Sequence, residues 1–196
     1  MKVYEFDENA DKYQSFIDDL TEEEVEKNLA TVYRFDGTSK KDIWKQPKGL
    51  YIANPMKERG NFFHLGCQIA MDQHAYTVLK DIMDGCCELL PFTFENETYY
   101  AINIINVIDC YDYEKGKYEY WKNNTSKEDI IGIKKYVFNP SNFNKKSIFK
   151  DNFTMVRNFT YEGFLPNPEK EFKYLYEKHG LKGLTFRLLW DSEKDS

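Results

Sequence analysis

The spacing of apolar residues predicts two helices near the start of the chain. Tyr13, Phe16, Ile17 and Leu20 fall at positions i, i+3, i+4 and i+7, so they would share one face of a short amphipathic helix. The segment 21–24 follows and reads Thr-Glu-Glu-Glu, and a Thr with a Glu three residues later has the spacing of a capping box. A second helix is therefore predicted to begin there.

Two further helices are predicted in the rest of the chain. Asp72 is suited to cap a helix that runs to Asp84, because the apolar residues between them share one face and Gly85 can end it. Asn167 and Pro168 are typical of a helix cap and a first helical turn. The apolar residues that follow this pair have the 3.6-residue period of a helix.

Strands are predicted between and after these helices. The segment 99–110 carries apolar residues at both parities, as a strand covered on two faces does, and we expect it at the centre of the sheet. Other segments rich in strand-forming residues are 50–53, 62–65, 86–92, 130–138, 147–149, 153–159 and 184–190. In the last of them Leu184, Phe186, Leu188 and Trp190 alternate with other residues and are expected to share one apolar face.

These elements predict an α+β fold in which a few helices pack on a mainly antiparallel sheet. No repeat, low-complexity tract or linker divides the 196 residues, and 15 Tyr and 15 Phe favour a broad sheet over a slim helical bundle. A chain of this length is sufficient for one core. We expect a helical N-terminal segment, residues 1–30, and an α+β domain, residues 31–196, in one structural unit.

The N-terminal sequence, the apolar stretches and the cysteines predict the cellular compartment of the protein. The N-terminus has no basic patch followed by an apolar run, and no uncharged apolar stretch is long enough to cross a bilayer. We therefore expect a cytoplasmic protein without a membrane partner. In that compartment thiols stay reduced, and the four cysteines are expected to be buried in the core: Cys67, Cys86, Cys87 and Cys110.

Motifs of catalytic and cofactor-binding sites are missing from the sequence. It contains no G-x-G-x-x-G, G-x-x-x-x-G-K-[ST], G-x-S-x-G or H-E-x-x-H. The spacing of the His and Cys residues at 64, 67, 74, 86 and 87 matches no tight zinc pattern, so core packing is the better interpretation. An enzyme that uses Asp, His or Cys stays open as an alternative, with these aspartates as candidates: Asp72, Asp81, Asp84, Asp109 and Asp112. We expect no catalytic residue, no metal and no cofactor.

Two polar patterns leave alternatives open. Asn103 and Asn106 lie within an apolar strand, where each amide either bonds to neighbouring backbone or marks a functional site. Basic residues interleave with aromatic ones between 134 and 157, as in modules that bind single-stranded nucleic acid, although alternating strand faces give the same pattern. The residues are Lys134, Lys135, Lys145, Lys146, Lys150 and Arg157 with Tyr136, Phe138, Phe143, Phe149 and Phe153.

Charge favours a basic protein as partner. Lys and Arg number 27 against 33 Asp and Glu, so the net charge is −6, and phosphates would repel such a chain. Six of the acids fall in one run that contains no base: Asp18, Asp19, Glu22, Glu23, Glu24 and Glu26. This run is either a solvated helix start or the first candidate for a partner-binding site.

The order of several short segments resembles a family of bacterial immunity proteins associated with polymorphic toxin systems, long described as a domain of unknown function. The segment 99–112, Tyr-Tyr-Ala-Ile-Asn-Ile-Ile-Asn-Val-Ile-Asp-Cys-Tyr-Asp, and the segment 180–186, Gly-Leu-Lys-Gly-Leu-Thr-Phe, carry most of the resemblance. The shorter segments that support it are 35–37, 44–47, 61–63, 72–83, 90–91, 136–138 and 147–149. Asp72 departs from the Ser that commonly opens the central helix in this family, and both residues can cap a helix.

The resemblance implies a cytoplasmic antidote that binds and blocks a cognate toxin without catalysis of its own. It covers about residues 30–190 and supplies no catalytic residue. The contacts with the toxin are expected on the surface, and the acidity of this chain suggests a basic toxin.

Overall fold

The computed structural model of the chain describes residues 1–19, 21, 23–24, 26–27, 34–121, 126 and 129–195. The two α-helices with defined bounds are α1, Gln73–Met83, and α2, Phe172–Lys178. The first seven strands are β1 Lys2–Glu8, β2 Ser15–Ile17, β3 Tyr51–Ala53, β4 Phe62–Leu65, β5 Gln68–Asp72, β6 Cys87–Phe94 and β7 Glu97–Ile104. The others are β8 Val107–Ile108, β9 Lys117–Tyr120, β10 Ile130–Lys135, β11 Ile148–Asp151, β12 Asn158–Glu162 and β13 Leu184–Asp191.

A five-stranded sheet has the order β13-β1-β12-β11-β8. Its pairs are antiparallel except for β8 with β11. The N-terminal strand therefore lies between two strands from the C-terminal part of the chain. Phe149, Phe159, Tyr161 and Trp190 form an aromatic core on one face of this sheet.

A six-stranded sheet has the order β3-β2-β4-β5-β7-β6, and only β2 with β4 is a parallel pair in it. One face carries an aromatic core that includes Phe16, Phe63 and Tyr99. The other face packs on α1, α2 and residues of the five-stranded sheet. Strands β9 and β10 form a separate two-stranded ribbon.

The two helices lie where the sequence pattern places them. Asp72 caps α1, because its Oδ1 accepts a hydrogen bond of 2.8 Å from the backbone N–H of Ala75, and Leu79 and Met83 are buried beneath it. Helix α2 ends at Lys178, and Gly180, which follows the cap residue His179, has a left-handed φ of 61°. The predicted helix 72–84 is therefore confirmed, whereas Asn167 caps a separate 3-10 turn, Pro168–Lys170, before α2 begins.

The segment that follows α2 joins the two sheets. The carbonyl of Lys182 accepts hydrogen bonds from the N–H groups of Asn61 and Phe62, at 2.8 and 3.0 Å. Gly183 has a φ of 114°, and a Cβ there would lie only 2.3 Å from the carbonyl oxygen of Phe62. A side chain at this position would push β4 away, which gives the Gly-Leu-Lys-Gly segment a structural role.

The helix predicted from Tyr13, Phe16 and Ile17 is wrong, because residues 15–17 form β2. Phe16 is fully buried against Leu65 of β4, whereas Ile17 is 40% exposed on the opposite face. Neighbouring residues that point to opposite faces have the two-residue period of a strand. Pairing with β3 and β4 makes this segment a strand. Leu20, the fourth residue of the predicted stripe, lies outside the described residues.

Two predictions about strands need correction. β7 is covered on both faces as expected, but it lies next to the edge strand β6 and not at the sheet centre. In β13 the pairing register shifts, since Val3 faces Trp190 while the next residue, Tyr4, faces Leu188. This bulge turns Trp190 into the core of the five-stranded sheet and leaves Leu188 exposed, so the two do not share one face.

The fold is mostly sheet with few helices, which agrees with the predicted α+β class although the sheets are partly parallel. The predicted helical character of residues 1–30 is wrong for residues 2–8 and 15–17, which form β1 and β2 because they pair with strands from later in the chain. The boundary near residue 30 stays a prediction. All four cysteines are free thiols, but Cys67 is exposed, so its predicted burial is wrong. It occupies the turn between β4 and β5.

The bulge in β13 predicts opposite results for two substitutions on that strand. Trp190→Ala should lower the free energy of unfolding by about 3–5 kcal/mol, because it empties a buried aromatic site. Leu188→Ala, at an exposed position, should cost less than about 1 kcal/mol. Urea unfolding followed by circular dichroism measures both values, and equal losses in the two variants would contradict the bulge.

Candidate partner-binding surface

The acidic run begins where β2 ends. Asp18 and Asp19 follow the strand directly, and Asp19 is exposed. A Cβ on Gly49 would lie 2.8 Å from the Cβ of Asp19, so this aspartate packs against the segment that leads into β3. Burial raises the pKa of Asp18. The start of the run is thus held against the edge of the six-stranded sheet.

The rest of the run continues into helical residues. Glu23, Glu24 and Glu26 are exposed and helical, whereas Glu22 lies outside the described residues. Thr21 and Glu24 form the predicted capping box: the N–H of Thr21 donates to Glu24 Oε2 at 3.0 Å, and the N–H of Glu24 donates to Thr21 Oγ1 at 3.3 Å. Hydrogen bonds from Thr21 lower the pKa of Glu24. The side chain of Glu24 therefore bonds within the helix cap, whereas the other exposed acids of the run are not part of this cap.

Two exposed apolar residues lie beside this run. Ile17 of β2 faces Tyr51 of β3, and they are 40% and 51% exposed. Cross-strand partners point to the same face of a sheet, which here is also the face of His64, because Ser15 pairs with both Ala53 and His64. We call Ile17 and Tyr51 the apolar patch.

A cavity of about 170 Å³ lies between the two sheets on that same face. Glu8 from the end of β1 contacts His64 Nδ1 through Oε1, and the exposed Cys67 also lines the cavity. Val156, 65% exposed, contributes apolar surface. The remaining lining residues are Glu5, Phe6, Asp7, Ile69, Arg157 and Asn158.

The carboxylates of this cavity perturb each other. Burial and the neighbouring Glu8 raise the pKa of Asp7 to about 7. Burial alone would raise the pKa of Glu8 too, but hydrogen bonds with His64 and Asp7 lower it to about 2. The bond with Glu8 raises the pKa of His64. Arg157 and Arg187 form ion pairs with Glu5, another carboxylate that lines the cavity. The end of β1 therefore places carboxyl groups close together, with Asp7 holding a proton up to about pH 7 and Glu8 bonded to His64.

The aspartates that were candidates for an enzyme site are not brought together as one group. Asp109 and Asp112 line an open depression of about 460 Å³ with Tyr111 and Asn142. Asp72 lies in another depression, where it caps α1. Among the described residues, no group of three or more His, Cys, Asp or Glu side chains is placed to hold a metal ion.

Three of the five aromatic residues in the interleaved basic and aromatic pattern are buried. Phe138, Phe143 and Phe149 are buried in the aromatic core of the five-stranded sheet. Lys150 is only 3% exposed; its Nζ donates to the carbonyl of Val156 at 3.3 Å, and burial lowers its pKa to about 8. Rings in the core cannot stack on bases, which favours the alternating faces of strands as the cause of this pattern.

Sequence reasoning missed a buried polar cluster around Glu88. Its carboxylate accepts hydrogen bonds from Ser39, from the backbone N–H of Lys40 at 2.7 Å and from Asn103 Nδ2 at 2.9 Å. Asn103 also donates to the carbonyl of Thr38. The cluster ties a loop to β6 and β7, which is the structural interpretation of Asn103. Asn106 likewise donates to the backbone of Ile148 at 2.8 Å. The sequence signal for the Glu88 cluster was Glu88 itself, a charged residue within the apolar run Cys-Glu-Leu-Leu.

Comparison with known families shows the class of protein to which the chain belongs. A family model described as an immunity protein family, Imm11, matches residues 90–187, which is half of the chain. The chain belongs to the Imm11 family of immunity proteins, and the resemblance to an immunity-protein family is confirmed. A search of curated proteins found no match. No helix in the described part of the chain is long and apolar enough to span a membrane.

The raised pKa of Asp7 predicts how stability depends on pH. The folded protein holds a proton on Asp7 up to about pH 7, whereas the ordinary pKa of an aspartate, expected in the unfolded chain, is 3.8. The unfolded chain therefore loses this proton first, and the free energy of unfolding falls as pH rises from about 4 to about 7. Asp7→Asn should therefore raise the free energy of unfolding at pH 8 and change it much less at pH 4.5. Urea unfolding at both pH values measures this, with Asp11→Asn as the charge-matched control. An equal effect of Asp7→Asn at the two pH values would contradict it.

Proposed function

We propose that this chain is a bacterial immunity protein that binds a cognate toxin domain of a polymorphic toxin system and neutralises it in the cytoplasm, without catalysis of its own. The observation that carries the proposal is membership of the Imm11 family. The exposed acids at the end of β2 and the net charge of −6 support a basic partner, because opposite charge steers two proteins together.

Co-expression tests the proposal directly. The toxin domain encoded beside this chain should kill cells when expressed alone and be tolerated when this chain is expressed with it. The two proteins should also co-purify as a one-to-one complex. A matched control is the Trp190→Ala variant, whose loss of stability should weaken protection. Protection by the wild-type chain without any complex would contradict binding and favour an enzyme that removes the toxic activity.

The acidic run predicts an effect on the rate of association. Asp19, Glu23 and Glu26 can be changed to Lys together while Glu24, which caps the helix, is left intact. Association at low salt should slow by about tenfold or more, with a smaller change in dissociation, because steering acts mainly before contact.

The control for this prediction is a second triple variant with the same change in net charge. Asp81, Glu95 and Glu114 are exposed acids in other parts of the chain, and changing them to Lys should slow association less. Stopped-flow or surface plasmon resonance measurements at several salt concentrations separate the two. Equal slowing in both variants would show that the association rate depends on net charge and not on the acidic run in particular.

A further inference from the structure

One end of the six-stranded sheet has an uncovered face. On that face, Phe62, Met71 and Ile102 pack beneath the helices and the five-stranded sheet and are buried. Ile17 and Tyr51 lie on the same face at the β2 and β3 end, yet they remain 40% and 51% exposed. The covering elements described in the structure therefore do not reach the apolar patch.

Carboxyl groups lie on one side of the apolar patch, and the cavity between the two sheets lies on the other. Asp18 and Asp19 continue directly from Ile17, and Asp19 packs beside Gly49, two residues before Tyr51. On the other side, Ile17 follows the pair of Phe16 with Leu65, so it lies next to the turn that carries Cys67. Cys67 lines the cavity that also contains Asp7 and Glu8.

The nearby cations are largely engaged within the chain. Arg157 forms an ion pair with Glu5 and contacts the hydroxyl of Tyr136, and Lys57 donates to the carbonyl of Ala10 at 2.6 Å. Lys48 lies near enough to Glu24 to lower the pKa of that glutamate. The surface thus presents an isoleucine and a tyrosine ring beside the carboxylates of Asp18 and Asp19.

Resting on the function proposed above, we propose that Ile17 and Tyr51 are the apolar anchor of the toxin-binding site and receive a cationic surface of the toxin. The aliphatic parts of Arg or Lys side chains would pack on Ile17 and on the ring of Tyr51, while their charged ends reach the carboxylates of Asp18 and Asp19. Tyrosines at the centre of interfaces contribute much of the binding energy, and a charged rim sets the encounter rate.

Charge argues against two other occupants of the apolar patch. A second copy of this chain would bring Asp18 and Asp19 close to their own counterparts, because a two-fold interface places the same surface on both sides. A nucleic acid would bring phosphates against the same carboxylates. A basic protein surface is the occupant that satisfies both the apolar and the acidic parts.

The test uses the purified toxin domain encoded beside this chain, inactivated so that it can be handled, and measures its affinity for variants of the full chain. Tyr51→Ala and Ile17→Ala should each weaken binding at least tenfold, mainly through faster dissociation. Ile131→Ala, at an isoleucine 58% exposed on the separate ribbon, is the matched control and should bind like the wild type. Thermal melting of each variant should stay close to that of the wild type.

Tyr51→Lys tests the charge of the partner. It keeps a long side chain but adds a cation, so binding should be weaker than for Tyr51→Ala if the toxin surface is basic. Binding of Tyr51→Lys that equals or exceeds that of Tyr51→Ala would overturn the basic partner. A dimer of the chain alone in sedimentation experiments that Tyr51→Ala dissociates would overturn the proposal in favour of a second copy.

The failures of the two proposals are distinguishable. If the wild-type chain neither protects cells nor binds the toxin, the proposed function fails. If the wild-type chain protects and binds, and Ile17→Ala and Tyr51→Ala bind with unchanged affinity, only the assignment of the apolar patch fails.

Discussion

The pairing of β1 on both of its edges is the constraint on which the rest of the structure depends. It joins β12 to β13, and its residues enter two cores: Val3 packs with the aromatic core of the five-stranded sheet, and Phe6 packs with the helices and the six-stranded sheet. Without β1, β13 would lose its partner strand. The same strand ends in Glu8, whose contact with His64 of β4 places the carboxylates of the cavity against the second sheet.

This arrangement separates the region matched by the family model from the candidate surface. The match to residues 90–187 includes β7 to β12 and most of β6, which form much of both cores, but not β1. The acidic run, the apolar patch and the cavity residues Asp7, Glu8 and His64 all precede residue 90. The matched half therefore accounts for much of the scaffold, and it needs the first strand of the chain to complete its sheet.

Local signals predicted the elements whose causes are local. Asp72 capping α1, the capping box of Thr21 with Glu24 and the strand 62–65 each depend on neighbouring residues, and each is confirmed. The sequence did not predict β2, because the spacing of the buried residues Tyr13 and Phe16 fits a helix as well as an extended chain. The segment becomes a strand because it pairs with β3 and β4, which come much later in the chain. The bulge in β13 and the contact of Glu8 with His64 also depend on long-range pairing. In the candidate site, the acidic run could be predicted from the charges in the sequence. The apolar patch could not, because Ile17 and Tyr51 come together only through the pairing of β2 with β3.

Hydrogen exchange, measured on the chain free and bound to its cognate toxin domain, shows which surface the toxin covers. We expect slower exchange on binding for the backbone amides of residues 15–19 and 49–53, because a docked protein covers the exposed end of the six-stranded sheet. The ribbon residues 130–135 should exchange at the same rate in both states. Slower exchange confined to the ribbon or to the depression at Asp109 and Asp112, with residues 15–19 and 49–53 unchanged, would contradict it.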